Sequence, residues 1–166
     1  MNRKQLLRKL KPFRLPARQV LNIEHSRPGN FKRLPATCCG YLTDGCCALS
    51  ADLPGVKALV AGLKKAPLAV EAGKELRENL ARWKRRRYSP VVKMEISWNH
   101  PVPKMKLHGG SSWVLAEAAK LALMVDATGC DSIGLFVRKG GRVSVEDPIA
   151  ALLDGKPVGF LMGVAR

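Results

Sequence analysis

Acidic residues are scarce in this chain. Asp and Glu number 13 against 29 Lys and Arg in 166 residues, leaving a formal charge of +16. That excludes an acidic, cation-collecting protein and favours a partner of dense negative charge, nucleic acid before membrane surface. Aromatic residues are also few, at 5%. No apolar run approaches the ~18 residues that a membrane-crossing helix needs. Met1-Asn2-Arg3-Lys4-Gln5 leads into no apolar stretch of about 7–15 residues, so no secretory signal is expected. Five cysteines, an odd number with no signal before them, predict reduced thiols in a cytoplasmic protein. The usual enzyme signatures are missing too: there is no Walker loop, GxGxxG, HExxH or GxSxG.

What is present is enough apolar residue, 46%, for one domain over 1–166 with a core of its own. Its positive charge is unevenly spread. Residues 1–35 hold ten bases and one acid, and residues 57–106 hold thirteen bases and four acids. Residues 36–56 hold two acids and no base, and residues 107–166 hold six of each. Two segments therefore carry the field, and any association that uses it should weaken with salt. A merely solvated basic surface is the competing reading.

The periodicities predict an α+β chain, with helices packed on antiparallel sheet. Residues 2–11 read as a helix with Leu6, Leu7 and Leu10 on one face and Arg3, Lys4, Arg8, Lys9 and Lys11 around it, ended by Pro12 and Pro16. Such a helix can lie on a membrane, but it is short and has no bulky aromatic on its apolar face. Packing against its own domain is the preferred reading. Thr37–Ser50 reads as a hairpin turning at Asp44-Gly45, with Thr43 facing Cys46 and Leu42 facing Cys47. Leu53–Lys65 reads as a helix capped by Asp52, and 70–87 as a second one carrying Leu76, Leu80 and Trp83 and a Glu78–Arg82 pair. Residues 88–110, with Pro90, Pro101, Pro103 and Gly109-Gly110, read as an extended connector in which Val91–Trp98 is a candidate strand. Segment 53–106 is thus a helical insertion with a Pro/Gly-rich connector, and 107–166 a helix plus β-meander. That helix spans 112–128, capped by Ser111 or Ser112 and stopped by Gly129. The meander runs through Ser132–Arg138, a return strand at Val143 and Val145 after Gly140-Gly141, Ile149–Leu153, the turn Asp154-Gly155, and Val158–Val164.

Cys38-Cys39 and Cys46-Cys47 invite a zinc reading, but their spacing is not that of a C-x2-C knuckle. If the hairpin forms, each same-face pair is offset by four residues, roughly 13 Å at ~3.3 Å per residue, too far for one ion. If it does not, His25, His100 or His108 is available to complete a site. No metal is assigned. Asp44 with Asp52, or Glu146-Asp147 with Asp154, are the acids that a metal-dependent nuclease could use; at strand ends such acids are usually solvated turn residues. The run Arg82-Trp83-Lys84-Arg85-Arg86-Arg87-Tyr88 interleaves bases with aromatics, a composition suited to single-stranded nucleic acid, where rings stack and guanidinium groups track phosphates. A core Trp83 beside a solvated helix end explains the same residues.

The order of features resembles one domain of the bacterial sliding clamp, the DNA polymerase III beta subunit, or a phage relative of it. The family carries Ala-Thr-Asp-Gly-His-Arg-Leu; here Tyr41-Leu42-Thr43-Asp44-Gly45-Cys46-Cys47-Ala48-Leu49 stands in that place. The family's terminal Met-Pro-Met-Arg corresponds to a looser Met162-Gly163-Val164-Ala165-Arg166. Residues 1–50 and 107–166 follow the pattern, and 53–106 depart from it. Clamp domains repeat a helix and a four-stranded sheet twice, and three such domains per chain build a ring around duplex DNA. The resemblance implies a non-catalytic protein without cofactor that touches the phosphate backbone and recruits replication proteins. It implies DNA contacts from Arg3, Lys4, Arg8, Lys9 and Lys11, to which the basic run adds Arg82, Lys84, Arg85, Arg86 and Arg87. It also implies a pocket for polymerase or clamp-loader peptides at Thr43, Gly45 and Met162. Cys46 and Cys47 replace the family's His and Arg, which changes that pocket or removes it. A single domain would have to form a homo-oligomer to encircle anything. The alternatives are a small basic nucleic-acid-binding or regulatory module without a ring, and the nuclease.

Overall fold

A computed structural model describes residues 2–15, 20, 23–24, 32–33, 36–38, 40–43, 46–61, 78, 81, 87–98, 102–129, 132–139 and 148–163. The chain opens with α1 (Arg3–Leu10), whose first turn is capped by Asn2: its side-chain oxygen accepts the N–H groups of Lys4 at 2.9 Å and Gln5 at 3.3 Å. Leu6 and Leu10 point into the core and Leu7 is partly covered, as the apolar spacing predicts. A 3-10 turn, Lys11–Phe13, follows with Pro12 inside it and Phe13 buried.

Next come a short pair, β1 (Ile23–Glu24) and β2 (Lys32–Arg33), and then three strands, β3 (Ala36–Cys38), β4 (Tyr41–Thr43) and β5 (Cys47–Ser50). The predicted single hairpin over 37–50 is in fact a three-stranded meander. The chain reverses between Cys38 and Tyr41 because Gly40 adopts φ +77°, a left-handed conformation with open space around it. The register across the second turn also differs from expectation: Thr43 faces Ala48 and Leu42 faces Leu49, two residues beyond the predicted partners. Asp44 and Gly45 lie outside the described residues.

Helix α2 (Pro54–Ala61) starts where Pro is best tolerated, and its first hydrogen bonds run to the Leu53 carbonyl, so Leu53 rather than Asp52 holds the cap position. The predicted continuation to Lys65 and the helix at 70–87 fall outside the described residues, apart from helical backbone at Glu78 and Ala81 and a 3-10 residue at Arg87.

The expected connector 88–110 instead supplies strands: β6 (Tyr88–Pro90), β7 (Lys93–Ser97) and β8 (Lys104–Gly109). Pro90 is accommodated because β6 is an edge strand. The predicted helix 112–128 begins six residues late, since its first third is β9 (Ser112–Glu117), paired along its length with β8. Ser111 and Ser112 therefore cap nothing. Helix α3 (Ala118–Ala127) follows directly, and Gly129 at φ +69° ends it as expected. A short apolar run such as Trp113-Val114-Leu115-Ala116 does not by itself distinguish a buried strand from a helix, and pairing with β8 decided it.

Strands β10 (Gly134–Arg138), β11 (Ile149–Leu153) and β12 (Lys156–Leu161) complete the fold. Asp154 and Gly155 both take positive φ, and Leu153 faces Lys156, so the predicted two-residue turn stands here. The direct partner of β10 is β11; Val143 and Val145 lie outside the described residues.

Besides the β1–β2 pair, the described strands form two antiparallel sheets. The larger runs β3-β4-β5-β12-β11-β10-β6, and the smaller β7-β8-β9. They meet where the chain leaves β6: the Val91 N–H donates to Leu135 O in one sheet, and the Val92 N–H donates to His108 O in the other. Helix α3 lies over β5 and β12 and touches α1, α2 and β9, and one apolar cluster joins all of them. Its contact with α2 is tight. A methyl group on Gly55 would sit 2.8 Å from the Ala127 Cα and 2.9 Å from the Ala127 carbonyl oxygen, both backbone atoms. Gly55→Ala should therefore cost about 1–3 kcal/mol through forced separation of the helices. At ~2–4 °C per kcal/mol the thermal midpoint, followed by circular dichroism, should fall by several degrees; an unchanged midpoint would mean the helices are not in backbone contact.

Candidate nucleic-acid interface

Among the described helices the one with the most basic outer face is α1. Lys4, Arg8 and Lys9 are exposed on it and Lys11 is exposed just after it, while Leu6 and Leu10 anchor the opposite side. Among the described residues none of these four cations has an ion-pair partner. Arg3 stands apart. Its guanidinium donates to the carbonyl oxygens of Val125 (3.2 Å) and Asp126 (3.0 Å) and to the Asp126 carboxylate (3.2 Å). Arg14 reaches the other carboxylate oxygen at 2.5 Å. An acid in the last turn of a helix faces the negative end of the helix dipole, and two guanidiniums offset that. Arg3 therefore caps α3, and the exposed cations without an ion pair along this segment are Lys4, Arg8, Lys9 and Lys11.

Of the second predicted basic run, Arg82, Lys84, Arg85 and Arg86 lie outside the described residues. Arg87 is exposed, and its carbonyl accepts the Lys139 N–H at 2.8 Å. Because Tyr88 pairs with Arg138, the fold brings Arg87, Arg138 and Lys139 to one end of the β6–β10 edge. Arg138 and Lys139 escaped the sequence reading, since they are remote in sequence and sit in a segment of zero net charge.

A third charged surface is the outer face of the small sheet, with Lys93 and Glu95 on β7, Lys104, Lys106 and His108 on β8 and Trp113 on β9. Glu95 receives Lys93 at 2.5 Å and His108 at 2.8 Å. These hydrogen bonds, Lys93 first, hold its carboxyl below the usual carboxylate range. The Lys106 ammonium sits 4.1 Å from the centre of the Trp113 ring. Period-two alternation in Lys104-Met105-Lys106-Leu107-His108 was the available signal, obscured by the flanking prolines and glycines.

Thr43 is buried at the end of β4, and Met162, half-buried, follows β12. Pairing of β5 with β12 brings these segments together, for the Met162 N–H donates to Cys46 O at 2.8 Å. Gly45 is outside the described residues. A groove of about 240 Å³ lies elsewhere, between the end of the 3-10 turn, α2 and α3, with Arg14, Leu15, Leu123 and Asp126 in its walls. Cys46 is exposed and Cys47 buried. Among the described residues no three His, Cys, Asp or Glu side chains gather closely enough to hold a metal ion. His25, His100, Asp44, Glu146 and Asp147 are outside them; Asp52 and Asp154 are exposed at turns. No described helix is long and apolar enough to cross a membrane.

No family model, no curated protein and no solved structure matches this chain.

Proposed function

We propose that this chain is a non-catalytic DNA-binding protein built like a sliding-clamp domain, holding the phosphate backbone without reading base order. One topological observation carries the reading. Helix α1 leads to the meander β3-β4-β5, and helix α3 leads to the meander β10-β11-β12. The two units join through their last strands, β5 against β12 antiparallel, and their helices lie side by side on one face. A helix followed by three antiparallel strands, used twice about such a join, parallels in part the helix and four-stranded sheet that the resemblance implies, and supports the reading to that extent. The join also supports a role for the Thr43 turn and the Met162 segment in seating a peptide of a polymerase or clamp loader.

The burial of α3 favours a second reading. Seven of its ten residues are buried, so of these two adjacent helices it is α1 that presents fully exposed cations. That suits a small basic module that grips DNA without encircling it. Binding to nicked circles and to linear duplex of equal length, with the mass of the free protein from sedimentation, separates the two. Clamp behaviour predicts a closed assembly of several chains that stays on circles and runs off linear ends. Equal retention by a monomer supports the module, and no retention on either at low salt rejects both.

A further inference from the structure

We infer that the open edge of β7 pairs with β7 of a second copy of this chain, antiparallel about a two-fold axis at Met94. Strand β7 ends the small sheet: β8 lies on one side of it, and among the described residues no strand pairs with the other. Such an edge presents a row of backbone N–H and C=O groups to any further strand. Proline, a bulge or a lysine commonly blunts it. Lys93–Ser97 contains no proline and keeps an unbroken register with β8, and the charge of Lys93 is met by Glu95. The other edges are less open. On β9, Val114, Leu115 and Ala116 are at most 5% exposed. Strands β3 and β6 have three residues each, and β6 ends on Pro90.

What selects a second copy is the order of residues along the edge. Val92-Lys93-Met94-Glu95-Ile96 runs apolar, basic, apolar, acidic, apolar, and so complements its own reverse. In an antiparallel pair, directly opposed residues share a face of the sheet, and opposite charges there attract while like charges repel. With the axis at Met94, Lys93 of each copy stands against Glu95 of the other, twice. Val92, immediately before β7, stands against Ile96, again twice. These are the groups that β7 leaves open: Val92 is 73% exposed and Ile96 40%, and the side chains of Lys93 and Glu95 are 64% and 42% exposed. Met94, already buried against the core, meets its own copy on the axis. An axis at Lys93 or at Glu95 would instead set like charges face to face. The two three-stranded sheets then become one of six strands. An isologous join of this kind is complete with two chains and leads to no ring or filament.

The test is sedimentation equilibrium of the full chain from micromolar to near-millimolar concentration, without DNA, so that its outcome is separate from that of the DNA-binding reading. The wild type should approach twice the chain mass of 18.1 kDa reversibly. Lys93→Glu sets acid against acid across the axis and Glu95→Lys sets base against base, and each should weaken dimerisation at least about tenfold. Mixed in equal amounts, these two variants carry opposite charges on their edges and should recover a dimer containing one of each. Damage to β7 itself would not be repaired by mixing. Val92→Asp, at an open position, should also weaken the dimer while leaving the circular-dichroism spectrum unchanged. A wild type that stays monomeric throughout overturns the pairing and leaves the edge to a strand of some other protein. A dimer that all three variants leave intact, or charge variants that stay apart when mixed, overturns it as well.

Discussion

Replacing Lys4, Arg8, Lys9 and Lys11 together by glutamine should flatten the salt dependence of DNA binding by up to about 3.6 in the slope of log K against log salt. Each phosphate neutralised on duplex contributes ~0.9 to that slope through counterion release. Four contacts then correspond to roughly 150-fold more loss of affinity in the wild type than in the variant between 50 and 200 mM salt. The fold should tolerate the change. All four side chains are exposed, whereas Leu6, Leu10 and the Arg3 cap on α3, which dock the helix, are untouched. Gln is nearly as good a helix former as Lys or Arg, so the cost is mainly the loss of Arg8 and Lys9 from the last turn, about 0.3–1 kcal/mol each through the helix dipole. A melting curve close to wild type with an unchanged slope would remove α1 from the interface and leave Arg87, Arg138 and Lys139 as the next residues to neutralise.

The parts of the fold that could be read in advance are those where local chemistry and final packing agree. In α1 the Leu6–Leu10 spacing, the flanking bases and Pro12 all point to the same short helix. In β10–β12 the alternation of Leu135 with Val137, and the Asp154-Gly155 turn, survive because both faces and the turn geometry are set within a few residues. Reading failed where the deciding partner is remote. Ser112–Glu117 carries helix-compatible apolar spacing, but β8 lies alongside it and satisfies its backbone groups as a strand. Pro90 and Pro103 look like breakers of a connector, yet one ends an edge strand and the other precedes β8, where its carbonyl accepts the Ala118 N–H at 3.0 Å. The site follows the same division. The exposed cations of α1 were legible from amphipathicity. Arg3 was not, because its acceptor on Asp126 is 123 residues away. The exposure of Trp98 was not either, since nothing local says that its ring, just past β7, rests on the rim of the core against Phe13 with most of its surface open.

The largest loss of stability should come from Met124→Ala. Met124 is fully buried in the middle of α3, the helix that touches every layer. Its neighbour below is Gly159 on β12: a methyl group there would lie 3.2 Å from both the Cγ and the Sδ of Met124 and 3.3 Å from Leu49 Cδ2 on β5. The thioether thus fills the space left by a missing side chain at the strand pair that joins the two helix–meander units. Truncating it should cost about 2–5 kcal/mol in transfer and cavity terms, lowering the thermal midpoint by roughly 4–20 °C. Gly159→Ala alone crowds a flexible side chain and should cost less than about 3 kcal/mol. Combined with Met124→Ala, its methyl group enters the vacated volume, so the double variant should be more stable than the sum of the single losses by about 0.5–3 kcal/mol. Strict additivity would show that Met124 does not rest on the join. Because β5 and β12 are hydrogen-bonded there and α3 covers both, all three variants should still unfold in one transition; two resolved transitions in Met124→Ala would mean that each helix–meander unit holds together without the other.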